Sequence, residues 1–237
     1  IGIGSPRASL QSNFALKTLV GEDNFYHGVS DHEHELAPLA IQIMKDGPAR
    51  TPSMREVEKA DAVFVLGEDL TNTAPMLALA VRQAAKQQPM DSLAKVNIPT
   101  WHDAAARELI QEDKSPIYIA TVNSTKLDDV ATKTYRAAPH DIARLGFAVA
   151  HILDNSVSDD GGMSDELKKL AKEIAGKLSK AKNPVIISGA SCQSRRLMQS
   201  AANVAWALHQ KNKKVGIVLT MQECNSLGLA MMGGSRL

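Results

Sequence analysis

The stretch ADAVFVLGEDLTNTAPMLALAVRQA, residues 60–84, decides the fold class of this 237-residue chain. Its residues 62–66 form a continuous apolar run that ends at a glycine, which is typical of a strand buried on both faces of a parallel sheet. A polar loop follows, and Pro75 stands in the first turn of a helix predicted over residues 75–88. A strand, a loop and a helix in this order predict one unit of a parallel α/β sheet.

The same alternation continues on both sides of this stretch. We therefore predict an α/β protein with three αβα layers, mostly parallel sheets and two lobes. The polar stretch NSVSDDGG, residues 155–162, predicts an exposed loop or hinge. The predicted strands cover residues 1–4, 24–29, 62–67, 94–99, 116–122, 185–189 and 215–220, and the predicted helices cover residues 9–20, 53–60, 75–88, 140–153, 164–179 and 197–209.

Composition narrows the classes of protein to which the chain can belong. The formal net charge is +1, from 27 basic and 26 acidic residues, and aromatic residues make up 4%, so neither charge nor stacking surface favours nucleic-acid binding. The apolar runs are too short to cross a bilayer. Two cysteines without a CxxC spacing favour a reducing compartment. Because the sequence opens inside a predicted strand and without Met, we expect it to be a segment of a longer protein.

The opening residues IGIGSPRAS, residues 1–9, predict a strand, a glycine-bearing turn and the start of a helix. Backbone N–H groups in such a turn can hold a phosphate. Gly2 and Gly4 fit the first two positions of a dinucleotide fingerprint, but Arg7 stands where its third glycine belongs. The pattern favours glycines that serve the turn over a cofactor site.

The stretch HGVSDHEHE, residues 27–35, gathers side chains that can ligate metals. In a helix no two of its histidines would stand four residues apart on one face. We therefore predict a solvated, charged loop rather than a metal site. The five side chains concerned are His27, His32, Glu33, His34 and Glu35.

The two cysteines are the remaining candidates for chemistry. Cys192 follows the predicted strand PVIISG at the start of a helix, where a thiolate is stabilised, but no general base stands near it in sequence. Cys224 lies in MQECNSLG. Both are predicted to be buried, inert thiols, so no catalytic, cofactor-binding or metal-binding residue is predicted. The scattered basic residues, which predict a solvated surface, are Lys45, Arg50, Arg55, Lys59 and Lys114.

Four stretches together resemble the molybdopterin oxidoreductase superfamily. They are IGIGSPRAS at residues 1–9, the block at residues 57–86, AKEIAGKLSKAKNPVIISGAS at residues 171–191 and NVAWALHQKNK at residues 203–213. Within that superfamily, the sequences GSPRASLQSNFALKTLVG and residues 60–84 resemble one family in particular. It is the family of the G subunit, the large iron–sulfur subunit, of bacterial NADH:quinone oxidoreductase (respiratory complex I). This resemblance covers essentially the whole chain.

The resemblance implies two Rossmann-like lobes of the formate dehydrogenase/DMSO reductase type. Residues 1–50 with 141–237 would form the first lobe, and residues 51–140 an inserted one. Cofactor-binding relatives carry Asp-Pro-Arg after a strand that would correspond to residues 94–99. Here Pro99, Thr100 and Trp101 stand at that place and Asp103 follows later, so the resemblance implies a vestigial fold without a cofactor in this segment.

The family's role would be electron transfer from NADH to quinone, coupled to proton translocation, with this segment as a scaffold. Its iron–sulfur clusters would lie outside the segment. Its partners would be other peripheral-arm subunits and the cluster-binding domains of the same chain, at the cytoplasmic face of the bacterial inner membrane, without nucleic acid or membrane insertion. Three alternatives remain: a segment of a formate dehydrogenase-like oxidoreductase that binds molybdopterin guanine dinucleotide, the central domain of a thiamine-diphosphate enzyme, and opportunistic anion binding at Gly2 and Gly4.

Overall fold

A computed structural model describes residues 1–99, 101–111, 113–157, 164–211 and 214–236. Thr100 and most of the predicted 155–162 loop lie outside these residues. Within them, no helix combines the length and the apolar composition that crossing a membrane requires. The strands are β1 (Gly2–Gly4), β2 (Phe25–His27), β3 (Ala62–Leu66), β4 (Ile117–Thr121), β5 (Lys133–Arg136), β6 (Pro184–Gly189), β7 (Gly216–Thr220) and β8 (Ser235–Arg236).

Helices connect these strands, and most begin at a residue suited to capping. Ser9, Ser30 and Ser164 each accept a hydrogen bond at the start of a helix, and Pro75 and Pro139 each begin one. The helices are α1 (Leu10–Val20), α2 (Asp31–Asp46), α3 (Met54–Glu58), α4 (Leu70–Thr73), α5 (Pro75–Ala84), α6 (Gln87–Lys95), α7 (Asp103–Ile110), α8 (Pro139–Leu153), α9 (Asp165–Lys180), α10 (Arg195–Lys211) and α11 (Ser226–Met231).

The strands form two sheets, and every pairing between named strands is parallel. The large sheet has the order β5-β4-β3-β6-β7, and the small sheet has the order β1-β2-β8. The predicted α/β class with parallel sheets is confirmed. Parallel neighbours require crossover connections, and helices provide them here except between β4 and β5, where residues 122–132 form turns.

Helices cover both faces of the large sheet. On one face Phe64 and Ile186 belong to a cluster of buried residues that includes the inner sides of α8, α9 and α10. On the other face Val63 and Ile187 belong to a second cluster that includes residues of α3 and α5. Three layers follow, and every residue of β3, β4 and β6 is buried.

Asp61 explains two of the sequence motifs at once. Its carboxylate accepts hydrogen bonds from the backbone N–H groups of Lys182, at 2.7 Å, and Asn183, at 2.8 Å. These two residues precede β6, and Asp61 precedes β3, so the contact holds the starts of two adjacent strands together. The quoted stretches at residues 57–86 and 171–191 therefore meet in space, although 121 positions separate Asp61 from Lys182.

The large sheet runs across the predicted lobe boundary at residue 140. Its strands β3, β4 and β5 come from the predicted inserted lobe, residues 51–140, whereas β6 and β7 come from the predicted first lobe, residues 1–50 with 141–237. Because β3 pairs directly with β6, the two predicted lobes share one sheet. The small sheet is separate and takes its strands from the two ends of the described chain.

Several local predictions are wrong. Residues 94–99 form no strand: α6 extends to Lys95, and the Ile98 N–H donates to the Leu93 carbonyl 3.1 Å away. Pro89 and Leu93, four residues apart, are buried on one face of α6. The predicted helix over residues 75–88 ends at Ala84, and α6 begins separately at Gln87. The exposed edge strand β5 was not predicted, because its sequence KTYR lacks an apolar run.

Candidate functional site

The order of strands in the large sheet marks one place for a ligand. From β3 the chain proceeds to β4 and β5 on one side, and later to β6 and β7 on the other side. The direction of winding therefore reverses between β3 and β6. In open parallel sheets, ligands bind outside the carboxyl ends of the strands at such a reversal. We take the residues that follow β3 and β6 as the candidate site.

Glu68, two residues beyond the end of β3, fills this place. Its side chain lies at the carboxyl ends of both central strands and is only 1% exposed. Its Oε1 accepts the Ser191 backbone N–H at 3.0 Å, and its Oε2 accepts the Ser191 hydroxyl at 2.6 Å. The Thr73 hydroxyl donates to Oε2 from 3.4 Å. The carboxyl group thus occupies the backbone donor that an anionic ligand would need at the start of the β6 loop.

Neighbouring glycines leave room for Glu68. A Cβ added at Gly189, the last residue of β6, would lie 2.6 Å from Glu68 Oε1 and 2.1 Å from Thr220 Oγ1. Gly67 has φ of +78°, a backbone conformation that favours glycine, and it turns the chain from β3 toward Glu68. The tight glycines at this edge therefore accommodate a side chain of the protein itself.

Burial raises the pKa of Glu68 above its ordinary range, while the hydrogen bonds from Ser191, Thr220 and Thr73 oppose that rise. A raised pKa means that the folded protein holds the proton of this carboxyl group more tightly than the unfolded chain does. Either form of the group fills the crevice. When ionised, it also repels a phosphate.

Cys192 lies beside Glu68. Its thiol donates to the Gly67 carbonyl 3.0 Å away, and burial together with the Glu68 charge raises the pKa of Cys192. A raised thiol pKa disfavours the nucleophilic thiolate. Cys192 is half-buried, whereas it was predicted to be buried. Cys224 is exposed, so the prediction that it is buried is wrong. It lies in the loop before α11, outside any packed layer.

A second network occupies the carboxyl ends of β4 and β5. Arg136 forms an ion pair with Asp128 and donates to Thr121 Oγ1 at 2.8 Å.

The strand that follows β3 in the chain and pairs with it is β4, which ends at Thr121 and is followed by Val122 and Asn123. Neither of these residues is an acid. The comparison of Pro99 and Trp101 with a strand end is wrong, because no strand precedes them.

The opening loop between β1 and α1 is tied to the protein on two sides. The Ser5 N–H donates to Asn13 Oδ1 at 2.9 Å, and Asn13 Nδ2 donates back to the Ser5 carbonyl at 2.9 Å. From the other side, the Asn225 N–H donates to the Pro6 carbonyl at 2.9 Å. Arg7 forms an ion pair with Glu223 at 2.6 Å. The Asn13 side chain thus takes up the Ser5 N–H, and Glu223 pairs with the Arg7 guanidinium; both are donors that a phosphate could otherwise use.

The histidine-rich stretch is not the predicted solvated loop. Residues from Asp31 onward form the first turns of α2, and Glu33 is buried with its carboxylate accepting a hydrogen bond from Ser226. The rings of His27 and His34 lie 5.3 Å apart. Even so, no cluster of three or more possible metal ligands occurs in the part of the chain that the structure describes. His32 and Glu35 are exposed.

Of the five basic residues predicted to form a solvated surface, all but Arg50 are exposed: Lys45, Arg55, Lys59 and Lys114. Arg50 is half-buried, forms an ion pair with Glu56 and donates to the Lys214 carbonyl.

The site residue that the sequence analysis missed is Glu68. Its only signal was its position directly after Gly67, the glycine that follows β3, where side chains of α/β proteins face the ligand crevice.

Several known proteins with similar sequences share one name. The chain is 49% identical over 234 residues to the G subunit of the NADH-quinone oxidoreductase of Pseudomonas fluorescens, covering 99% of this chain and 26% of that protein. It is 47% identical over 237 residues to the protein of the same name in Escherichia coli K12, covering 100% of this chain and 26% of that protein. The predicted resemblance to the G subunit is confirmed. The chain spans about a quarter of the length of these relatives.

No protein-family model matches the chain. Among solved structures, it resembles a chain of the formyltransferase/hydrolase complex of Methylorubrum extorquens in complex with methylofuran, with a TM-score of 0.56 and 11% sequence identity. The match covers 99% of this chain and 59% of that chain. At this level of identity the similarity establishes the fold alone.

Proposed function

We propose that this chain is a scaffold segment of the G subunit of a bacterial NADH:quinone oxidoreductase and carries no redox centre of its own. The parent enzyme would transfer electrons from NADH to quinone, coupled to proton translocation, through iron–sulfur clusters held outside this segment. Support comes from identities of 46–49% over the whole chain to proteins that carry the G-subunit name. The thiamine-diphosphate alternative has no such support.

The observation that carries the scaffold proposal is the buried carboxyl group of Glu68 at the reversal of the large sheet. A molybdopterin cofactor with its nucleotide brings phosphates, which need backbone N–H donors and positive charge. At this edge Glu68 takes the Ser191 N–H instead, at 3.0 Å. The residues present therefore do not fit the cofactor of the superfamily that the fold resembles.

Two further contacts support the same conclusion. In the opening loop, Asn13 binds both the N–H and the carbonyl of Ser5. At the ends of β4 and β5, Arg136 forms an ion pair with Asp128 and donates a hydrogen bond to Thr121. At each of three places, a donor that an anion could use is thus bound by another group of this chain. Opportunistic anion binding at Gly2 and Gly4 is disfavoured for the same reason.

The partners and the location of the segment follow from this assignment as proposals. The segment would contact the cluster-binding domains of its own longer chain and other peripheral-arm subunits. It would lie at the cytoplasmic face of the bacterial inner membrane without entering the bilayer. A packed three-layer fold with large buried clusters on both faces of its main sheet is suited to such a rigid structural role.

One purification tests the proposal. A tag on the longer subunit that contains this chain would be used to isolate it from a molybdenum-replete host. We expect the other subunits and NADH:quinone reductase activity to co-purify, with iron present and with neither molybdenum, tungsten nor fluorescent released pterin. A formate dehydrogenase expressed in the same host provides the positive control for pterin and metal.

The contrary outcomes are distinct. Pterin with molybdenum or tungsten in a one-to-one ratio would support the alternative, a segment that binds molybdopterin guanine dinucleotide in a formate dehydrogenase-like oxidoreductase. A preparation of the longer subunit that brings no NADH:quinone reductase activity with it would instead refute its place in that enzyme.

A further inference from the structure

A cavity of about 190 Å³ lies at the end of β2, the middle strand of the small sheet. It is bounded by the first turns of α2, by α11 and by the two glycines that precede β8. Since one water occupies about 30 Å³ in the liquid, the cavity has room for a small molecule. We call it the β2 cavity; its walls include His27, Glu33, Ala37, Ser226, Leu229 and Gly233.

Glu33 brings a buried carboxylate to this cavity. The residue is only 7% exposed, and its Oε1 accepts a hydrogen bond from the Ser226 hydroxyl. The other carboxylate oxygen, Oε2, has no hydrogen-bond partner among the described residues. Burying a carboxylate costs much free energy unless the group is both paired and hydrogen-bonded. The position of Glu33 therefore favours a cationic donor inside the β2 cavity.

The basic side chains near the cavity are paired with other carboxylates. Lys17 of α1 forms an ion pair with Glu22 at 2.9 Å, and Arg236 of β8 forms one with Asp31. Within the described ranges, no basic side chain forms an ion pair with Glu33. The start of α2 contributes only a partial positive charge. The chain thus leaves this buried carboxylate without a full counter-charge of its own.

The histidine in the cavity wall does not supply that charge. Burial lowers the pKa of His27 from 6.5, and the charges of His34 and Lys17 lower it further, although the Gly233 backbone opposes the decrease. The ring is therefore neutral at pH 7 and does not repel a cation. Its Nε2 is buried and has no hydrogen-bond partner among the described residues. A neutral imidazole has one acceptor nitrogen, so the wall can provide a second polar contact.

The remaining walls of the β2 cavity are mostly apolar. Ala37 and Leu229 are buried, and Val29 and Ala230 lie beside them. Pockets for small molecules combine such walls with a few polar groups that fix the orientation of the ligand. A bare metal ion is disfavoured, because no group of three or more possible metal ligands occurs in the part of the chain that the structure describes. The cavity suits an ammonium group joined to a short hydrocarbon part.

We propose that the β2 cavity binds a small primary amine in its ammonium form, which donates to Oε2 of Glu33 and lies beside the His27 ring. The alkyl part of the amine contacts Ala37 and Leu229. Charge-assisted hydrogen bonds are about twice as strong as neutral ones, so the carboxylate provides most of the specificity for an ammonium group. The site lies in the small sheet and is independent of the scaffold role proposed above.

Saturation-transfer NMR with methylammonium chloride tests this site in the longer subunit that contains the chain. Glu33→Gln removes the charge but keeps an oxygen that can accept the Ser226 hydroxyl. Glu35→Gln removes the same charge from an exposed position on the same helix and is the matched control. We expect saturable binding to the wild type and to Glu35→Gln, and an affinity roughly ten- to a hundred-fold weaker for Glu33→Gln.

Two measurements on the unaltered carboxylate keep the test decisive even if Glu33→Gln does not fold. Ammonium chloride should displace methylammonium from the wild type, whereas tetramethylammonium chloride should not, because it carries the same charge without an N–H donor. In a subunit with 13C-labelled histidine, the ring signal that His27→Gln removes should shift when methylammonium is added.

Four results would overturn the proposal. If the wild type shows no saturable binding of methylammonium, the cavity takes water alone. Equal weakening in Glu33→Gln and Glu35→Gln would indicate a general effect of surface charge. Equal displacement by tetramethylammonium and ammonium would show that N–H donors are not recognised, and an unshifted His27 signal would place the binding elsewhere. None of these results bears on the co-purification of redox activity, so either proposal can fail while the other stands.

Discussion

The two sheets of this protein have the same parallel hydrogen bonding and opposite burial. In the large sheet every residue of the central strands β3, β4 and β6 is buried. In the small sheet β1 alternates between buried and exposed residues, and both residues of β8 are exposed. Strand pairing alone therefore does not produce a core. The difference arises from coverage: among the described residues, helices cover both faces of the large sheet, whereas Ile1 and Ile3 on the outer face of the small sheet are exposed.

Truncating a phenylalanine on the middle strand of each sheet is the strongest test of whether the two sheets are independent. Phe64 on β3 and Phe25 on β2 are both fully buried. Truncating a buried phenylalanine to alanine costs about 3–5 kcal/mol. We expect Phe64→Ala to lower the free energy of global unfolding by that amount. Phe25→Ala should open only the small sheet, because its strands share no hydrogen bonds with the large sheet.

Chemical denaturation followed by circular dichroism measures the first effect, and native-state hydrogen exchange at the amides of β2 measures the second. Should Phe25→Ala reduce the global unfolding free energy as much as Phe64→Ala, the two sheets form one cooperative unit and the comparison fails.

Two glycines in helices test how closely the helices that cover the large sheet pack against each other. A Cβ at Gly146 of α8 would lie 2.4 Å from Ser200 Oγ of α10, whereas a Cβ at Gly176 of α9 would meet nothing within 4 Å. We expect Gly146→Ala to destabilise the protein by about 1–3 kcal/mol through overpacking. Gly176→Ala should stabilise it by about 0.5–1 kcal/mol, because alanine favours helix. Thermal melting of both variants measures the difference, and a stabilising Gly146→Ala would show that α8 and α10 are not closely packed.

Opposite responses to pH give the smallest expected effect. Burial raises the pKa of Glu68 in the large sheet from its ordinary value of 4.5, and burial lowers the pKa of His27 in the small sheet from 6.5. The contribution of Glu68 to stability is therefore greatest at low pH and falls as the pH rises above 4.5. That of His27 is present above pH 6.5 and is lost as the pH falls.

Acidification from neutral pH should accordingly loosen the small sheet first. The protection factors of the β2 amides, which correct for the pH dependence of intrinsic exchange, are expected to fall, while the stability of the wild type relative to Glu68→Gln is expected to increase. A stability difference between wild type and Glu68→Gln that grows with rising pH would contradict the assigned direction for Glu68.

Much of the large sheet could be predicted from sequence. The apolar runs of β3, β4, β6 and β7, and the helices that begin at Pro75 and after Ser164, are predicted because each has a local cause: a continuous run of buried residues or a residue suited to a helix start. Residues 94–99 were misassigned, since a short apolar run does not distinguish strand from helix. The edge strand β5 carried no local signal, because its pairing with β4 and not its own burial defines it.

The candidate site was not predictable from residue patterns. Nothing in the neighbourhood of Glu68 in sequence indicates that it meets Ser191, 123 positions away, or that Gly189 leaves room for it. The sequence by itself determined the α/β class, the resemblance to the G subunit and the main buried strands, because these depend on local periodicity and on residue identity. Only the tertiary structure decided that one sheet crosses the predicted lobes, that a carboxyl group closes its crevice and that the outer face of the small sheet is exposed, because each depends on which distant segments meet.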